Sequence, residues 1–337
     1  MNKFLQFCSD LTIHTNLKPL IHISPASGYR ARSEFGFKNN AYTKIDDGKK
    51  VFMNTSNIPH SSIQKVMNEL LILINTSEKV KKKLFQVNFR TSGIKVLASL
   101  IYHRQLDEEW RAEALKIQNA LSDVSIIGRS KKAKVLVGDE DLEITYEING
   151  SSFKILQNDL VFFQPNIYLY PIMMTFITSH IRNPKDLLEL YCGCGSFTLT
   201  LTSHFNKILA TENNRHSIRL LKESIKLNNM TNIEIARLSD DETASALSKE
   251  RPFRRLEHID LDSYDFSHIL VDPPRAGLSE ETITLSKGYE NMIYISCNPE
   301  TFIRDLEKLN REIKSIAVFD QFANTQHLEV IAFLKTK

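Results

Sequence analysis

Two rhythms of apolar and polar residues divide this 337-residue chain. From about residue 184 onwards, short apolar runs alternate with amphipathic stretches, the pattern of parallel βαβ units. Strands are predicted at 186–191, 208–211, 233–236, 268–271, 292–296, 315–319 and 330–334, with helices between most of them, including 216–227 and 302–309. Only residues 320–329 separate the last two strands, too few for a helical crossover, so these two are expected to be antiparallel neighbours. Before residue 150 the pattern is mixed. Residues 29–37 alternate, with Arg30, Arg32 and Glu34 on one face and Tyr29, Phe35 and Phe37 on the other, which predicts a strand with a basic face. Residues 61–76 carry Ile63, Val66, Met67, Leu70 and Ile74 at helical spacing. A strand is predicted at 96–102, a second helix at 108–121, and two strands over 125–145 joined across Gly138-Asp139. Turn chemistry at Asn149-Gly150 suggests a boundary, giving an α+β domain over 1–150 and an α/β domain over 151–337.

Composition adds little until charge is followed along the chain. The chain is 42% hydrophobic and 25% charged, an ordinary globular balance. No apolar run reaches membrane length, and the opening residues 1–14 lack the apolar stretch and small-residue cleavage site of a signal peptide. Cys8, Cys192, Cys194 and Cys297 do not make a disulfide framework, so a reduced cytoplasm is the expected home. Cys192 and Cys194 alone are a poor zinc signature, and no metal is expected. Residues 1–104 hold 16 Lys+Arg against 6 Asp+Glu, a net of +10, so the other 233 residues of this +3 chain sum to −7. A basic front segment suggests a polyanionic partner, although a run such as Lys81-Lys82-Lys83 by itself fits a solvated surface equally well.

The candidate chemistry gathers at predicted strand ends, where open α/β sheets place their sites. Glu189-Leu190-Tyr191-Cys192-Gly193-Cys194-Gly195 follows the first strand of the α/β part and opens a helix, and Glu212 ends the next strand. An acid about twenty residues beyond such glycines is placed to bind ribose hydroxyls. No third glycine follows, and Glu189 stands four residues before Gly193, which suits S-adenosylmethionine better than a dinucleotide. Glu212 as a helix-capping acid is the alternative. Val271-Asp272-Pro273-Pro274-Arg275 ends the fourth strand in a rigid turn, with Asp272 either facing the cleft or only forming the turn. Cys297, within Ser296-Cys297-Asn298-Pro299-Glu300, sits where the fifth strand stops. It is either a nucleophile or a small buried hydrophobe.

Together these segments resemble the RNA 5-methyluridine methyltransferases. The likeness extends to Tyr29-Arg30-Ala31-Arg32-Ser33-Glu34-Phe35, to residues 101–110, to Phe163-Gln164-Pro165-Asn166 and to Phe319-Asp320-Gln321-Phe322 with residues 325–329, all similar to the tRNA (uracil-5-)-methyltransferase branch. The resemblance spans nearly the whole chain. It implies a Rossmann-like, seven-stranded, S-adenosylmethionine-dependent methyltransferase domain over 151–337, preceded by a basic RNA-binding domain over 1–150. It implies methylation of carbon 5 of a uridine in tRNA, the T-arm uridine, with Cys297 adding to carbon 6 and Glu329 removing the carbon 5 proton. By sequence alone His327 and Asp320 are alternative bases. Gln164, Tyr191, Ser196, Glu212 and Asp272 fall on the cofactor-binding positions, Ser196 where the family has Asn. Arg30, Arg32, His103 and Arg104 are candidates for phosphate contacts and Phe85 for stacking on a base, with Arg251, Arg254 and Arg255 as a second basic cluster.

Two rivals accompany this reading. Some ribosomal-RNA 5-methyluridine enzymes carry an iron–sulfur cluster on four N-terminal cysteines, whereas only Cys8 precedes residue 192 here. An RNA-binding or RNA-folding module would need the basic domain but not Cys297. The expected partner is tRNA, with other RNAs bearing a T-like arm as further candidates, and the expected state is a monomer.

Overall fold

The computed structural model describes residues 3–131, 133–323 and 325–337. The chain forms two compact units. One comprises Pro25–Ile144 with Leu156–Leu160; the other comprises the chain up to Ser24, Thr145–Ile155 and Val161–Lys337. A single cut near residue 150 is therefore replaced by several crossings. The reason lies in the first elements, α1 (Lys3–Leu11) and β1 (Leu20–His22). Helix α1 buries Phe7 and Leu11 in the core of the second unit, and β1 joins that unit's sheet.

The first unit is built on β2 (Arg32–Lys38), β3 (Ala41–Asp46), β4 (Lys49–Met53), α2 (Ser61–Thr76), α3 (Glu78–Lys81), β5 (Leu84–Thr91), β6 (Val96–Tyr102), α4 (Glu108–Asn119), β7 (Val124–Ser130) and β8 (Ala133–Val137). The strands form one sheet in the order β4-β3-β2-β5-β6-β7-β8. Only β6 and β7 run parallel, and α4 makes the crossover between them. Helix α2 buries Ile63, Val66, Met67, Leu70, Leu71 and Ile74. Each such side chain contributes about 1.5–3 kcal/mol as an upper figure. The expected hairpin across Gly138-Asp139 is not found. Strands β7 and β8 pair with each other, from Ile126↔Val137 to Ser130↔Ala133, and Gly138 (φ 90°) follows β8 against Ser125, whose hydroxyl accepts from the Asp139 amide at 2.9 Å. A third strand, β9 (Leu142–Ile148), follows and pairs with β10 (Ser151–Gln157). Strand β7 is buried over its first five residues, β8 is mostly half-buried and β9 alternates, so no single period counts the strands of this stretch. The Asn149-Gly150 pair read as a boundary is the tip of the β9–β10 hairpin, with φ of 51° and 81°, the geometry that favours Asn-Gly.

The second unit continues with α5 (Leu169–His180), β11 (Asp186–Leu190), α6 (Ser196–Leu201), β12 (Lys207–Thr211), α7 (Arg215–Leu227), β13 (Ile233–Ala236), α8 (Asp240–Leu247), β14 (Phe266–Val271), α9 (Glu280–Ser286), β15 (Asn291–Ser296), α10 (Pro299–Leu309), β16 (Arg311–Phe319) and β17 (Glu329–Thr336). The sheet runs β1-β16-β17-β15-β14-β11-β12-β13. Strand β17 is antiparallel to both β15 and β16, as the short connection predicts. The seven expected strands are all present. The sheet has eight because β1 adds in parallel at the edge through Leu20↔Ala317 and Ile21↔Val318. Strand β1 is three residues long and half exposed, too weak a pattern to read in advance. The central strands are buried along their length, as helices on both faces of a parallel sheet require. The fold is that of a Rossmann-like methyltransferase.

Candidate active site

The strand order brings five chain ends to one rim of the sheet. Leu190 pairs with both Thr211 and Val271, so Tyr191, Glu212 and Asp272 leave three neighbouring strands at one level. Ser296 opposes Val330. Cys297 follows Ser296 and Glu329 precedes Val330, so each lies one residue beyond the last pair of this ladder, and the Glu329 charge acts on the thiol. Asp320 and His327, the other candidate bases, are held elsewhere. The Asp320 carboxylate pairs with the Lys3 ammonium at 2.5 Å, and the His327 ring lies against the Arg275 guanidinium at 2.8 Å.

The local sequence explains the thiol's position. Strand β15 ends at Ser296, and the Asn298 side chain accepts from the Glu300 amide as the N-cap of α10. Pro299 opens that helix, where a missing N–H costs nothing. The Asn298 side-chain amide donates to the Arg275 carbonyl at 3.1 Å, tying the two turns together. Cys297 is thus held between a strand end and a helix start. Burial pushes its thiol up to about 12, the Glu329 and Asp272 charges add to the rise, and Arg275 opposes them. Burial also raises Asp272 to about 7. Glu329 is raised well above the carboxylate range by its burial and then by the Asp272 charge. Two carboxyls and a thiol that raise one another in this way resist ionising together at neutral pH.

Next to this cluster lies a cradle of backbone and acid. Gly193 (φ 57°) has open space where a Cβ would stand, so a ligand can approach its backbone. Gly195 (φ 91°) caps α6, and a Cβ there would lie 2.3 Å from Leu221, so only glycine fits. The Glu212 carboxylate accepts from the Gly193 amide at 3.1 Å and the Asn214 amide at 2.6 Å, leaving acceptor capacity for hydroxyls. Tyr191 adopts φ 59°, rare for an aromatic residue, and its hydroxyl bonds Asp240 at 2.7 Å and Thr282 at 3.2 Å. Both Glu189 carboxylate oxygens and the Thr198 hydroxyl are buried without a partner in good hydrogen-bond geometry. Burial lifts Glu189 to about 8, against the opposing pull of nearby Thr198. An open glycine turn, a strand-end acid and unpartnered buried oxygens fit a polar, cationic, ribose-bearing cofactor. Gln164 is buried and accepts from Gln321 at 2.7 Å, while half-buried Ser196 starts α6 with its carbonyl accepting from Tyr170 at 2.5 Å.

Sequence reading passed over three participants. Asp240 gathers the hydroxyls of Tyr191 and Ser279 (2.6 Å), Gln321 orients Gln164, and Arg275 faces the thiol's neighbours. Gln321 and Arg275 stood inside quoted motifs without a role. Asp240 follows β13 with no recognisable signature. Among the described residues no group of three or more His, Cys, Asp or Glu side chains could hold a metal, and no helix is long and apolar enough to cross a membrane.

The RNA candidates lie in the first unit. Phe85 and His103 stack with ring centroids 3.8 Å apart and planes 9° from parallel. Arg32 is paired with Glu34 two residues on. The Arg30 backbone bridges to residues 58–60, and its Nε is buried without a partner. Arg104 turns back onto carbonyls of Lys79, Lys82 and Gln105. In the second unit, Arg255 pairs with Glu242, Arg251 lies over the Phe253 ring at 4.6 Å, and Arg254 is exposed.

A glycine-and-acid cradle on this sheet order, with a thiol at the neighbouring strand end, fits the Rossmann-like class of methyltransferases. Comparison with known proteins narrows the class. The sequence profile described as tRNA (Uracil-5-)-methyltransferase matches residues 3–337, so the chain belongs to that family and is an S-adenosylmethionine-dependent transferase. The tRNA/tmRNA (uracil-C(5))-methyltransferase of a Nitratiruptor species is 40% identical over 325 residues, 94% of this chain and 90% of its own. The protein of that name from Teredinibacter turnerae is 42% identical over 329 residues, 93% of this chain and 90% of its own. Among solved structures, the Pyrococcus abyssi tRNA (uracil-54, C5)-methyltransferase in complex with S-adenosyl-L-homocysteine superposes with a TM-score of 0.76, covering 98% of this chain and 82% of that one at 21% identity.

Proposed function

We propose that the protein methylates carbon 5 of the T-arm uridine of tRNA through a covalent bond between Cys297 and carbon 6 of the base. The observation that carries this reading is that Cys297 and Glu329 flank the last pair of two bonded strands, Ser296 with Val330, and that the charges of Glu329 and Asp272 both act on the thiol. The relatives' names give tRNA and tmRNA as substrates, and the archaeal enzyme of like fold is named for uracil 54.

Carbon 5 of uracil is a weak nucleophile. The Cys297 thiolate adds to carbon 6, and the electrons of the 5,6 double bond become an enolate with nucleophilic character at carbon 5. The α10 N-terminus and Arg275 favour the thiolate against its burial. When bound, S-adenosylmethionine supplies an electrophilic methyl group on a sulfonium sulfur. Gln164, Tyr191, Ser196, Glu212 and Asp272 would hold it, Glu212 accepting from ribose hydroxyls. Carbon 5, now methylated, still bears its hydrogen. The Glu329 carboxylate takes that proton, the double bond reforms, and Cys297 leaves as the thiolate. The target base has to leave its stack to reach a thiol at a sheet rim, and the basic first unit holds the RNA. Arg30, Arg32 and His103 serve its phosphates and Phe85 a base face.

Methyl transfer from labelled cofactor to unmodified tRNA, beside ribosomal RNA, with mapping of the modified nucleotide, tests substrate and position. Methylation of ribosomal RNA alone would overturn the tRNA reading. For the mechanism, Cys297→Ala should form no adduct. Glu329→Gln should transfer the methyl group yet accumulate an RNA–protein species on denaturing gels, and that species should vanish in the double variant. Normal turnover by Glu329→Gln would move the base elsewhere, and carbon 5 methylation by Cys297→Ala would end the covalent mechanism.

A further inference from the structure

Lys3 stands at the very start of α1, more than 300 residues from Glu329, yet its ammonium reaches the segment that leads into that residue. The three N–H groups of a lysine are matched by three acceptors: the Asp320 carboxylate at 2.5 Å, the Phe322 carbonyl at 3.3 Å and the His327 carbonyl at 3.1 Å. Asp320 opens the connection between β16 and β17, and His327 lies two residues before Glu329. One cation therefore ties both ends of this connection. The side chains of the pair are 13% and 10% exposed, so solvent screens it little. Two further anchors fix the first end only: the Asp320 amide donates to the His22 carbonyl, and Gln321 bonds Gln164. The end beside Glu329 is held by the Phe319↔Glu329 strand pair, by the Phe322–His327 ring contact, by the Arg275–His327 contact and by Lys3, which alone among these bonds both ends of the connection through one side-chain cation. Lys3, Arg275 and His327 also line a groove of about 560 Å³ between α1, the start of α10 and residues 326–328.

We infer that Lys3 is a positioning residue for the reaction: its ammonium ties Asp320 to the His327 carbonyl, and so steadies the approach of Glu329 to carbon 5 of the base. This rests on the proposed roles of Cys297 and Glu329. A cation is suited to the task because its removal leaves the nearly buried Asp320 carboxylate uncompensated, and the connection has to move to rehydrate it. Helix docking does not require the charge, since α1 is already anchored by Phe7 and Leu11. The step affected is the last one, in which proton removal releases the enzyme.

The test uses the full chain with Lys3→Met, Lys3→Arg and Asp320→Asn, beside Glu329→Gln as reference. Melting temperature and cofactor titration establish that each variant is folded and binds S-adenosylmethionine as before. Lys3→Met should form adduct in a single turnover at the parent rate, resolve it about tenfold more slowly, and lower kcat with kcat/KM for tRNA unchanged. Lys3→Arg should recover part of the rate, since the charge is kept but the fork does not fit three acceptors. Asp320→Asn should show the Lys3→Met behaviour more weakly, since the two carbonyl contacts remain. Parent-like adduct resolution in a folded Lys3→Met variant would overturn the inference. A raised KM with unchanged kcat would also overturn it, making Lys3 an RNA contact. If Glu329→Gln accumulates no adduct, the underlying mechanism fails. If Glu329→Gln accumulates adduct and Lys3→Met does not, the positioning role alone fails.

Discussion

The strand-end rim of the eight-stranded sheet and the first unit treat charge in opposite ways. At the rim of the parallel sheet, Glu189 and Glu329 are buried and Asp272 half-buried, and loss of solvent drives all three carboxyls upward. Among the described residues, no lysine or arginine pairs with any of them at ion-pair distance. In the antiparallel unit the acids have partners: Asp159 accepts from Arg129 and from Ser99, and Arg129 holds it below the carboxylate range against the pull of burial. Glu34 binds Arg32, and Glu109 binds Lys79. A fold built only for stability satisfies its buried ions. Buried carboxyls without a cation mark where a ligand or a proton is to be received, whereas paired and exposed charges mark a surface.

That contrast can be broken experimentally, and the largest effect is expected in pH dependence. Glu329 has to lose a proton before it can accept one, and its burial and the Asp272 charge hold that proton on. Decay of a pre-formed adduct should therefore accelerate with rising pH, about tenfold per unit while the carboxyl remains mostly protonated. A flat profile in rapid-quench measurements from about pH 6 to 8 would mean that Glu329 is not the group that titrates.

The next effect concerns the cradle. Glu212→Ala removes a charged acceptor that also orders the Gly193 and Asn214 amides. Cofactor affinity should fall by about 1.5–3 kcal/mol, the worth of a charge-assisted hydrogen bond. Calorimetry on the folded variant decides this, and unchanged affinity would assign Glu212 to turn structure alone.

On the paired side, effects should be smaller and depend on salt. Reversing Arg30 and Arg32 to glutamate should weaken tRNA binding and lower the slope of log K against log salt by about 1–2, leaving cofactor binding intact. Because Glu34 already neutralises Arg32, Glu34→Gln should strengthen binding slightly. An unchanged slope in both would shift the RNA surface toward Arg251, Arg254 and Arg255.

The smallest expected effect is on stability. The folded protein keeps Glu189 protonated up to about pH 8, whereas an unfolded glutamate ionises near 4.3. A raised carboxyl contributes fully below the unfolded value and loses that contribution as pH climbs toward the folded value. Glu189→Gln has no such loss, so its melting temperature should gain a few degrees relative to the parent between about pH 5 and 8. Parallel curves would mean that the carboxyl finds a partner in solution.

Local pattern determined much of this protein. The helix over Ser61–Thr76, the strand over Val96–Tyr102 and all seven catalytic-unit strands were legible because burial on one face or both leaves a period in the sequence. The antiparallel last pair followed from chain length alone. Cys297, Glu212 and Asp272 were legible as polar residues placed where apolar runs stop. Contacts between residues far apart in sequence left no such trace. The edge strand Leu20–His22 is three residues long, and only its partner β16 makes it a strand. Tyr191 is turned by an acid 49 positions away, Gln164 is oriented by a glutamine 157 away, and Lys3 reaches Asp320 across 317. Periodicity records which way a side chain faces within its own element. Which charges then meet, which stay unpaired, and how far each carboxyl's proton affinity rises are set by burial and distance in the folded chain, so only the tertiary structure decided them.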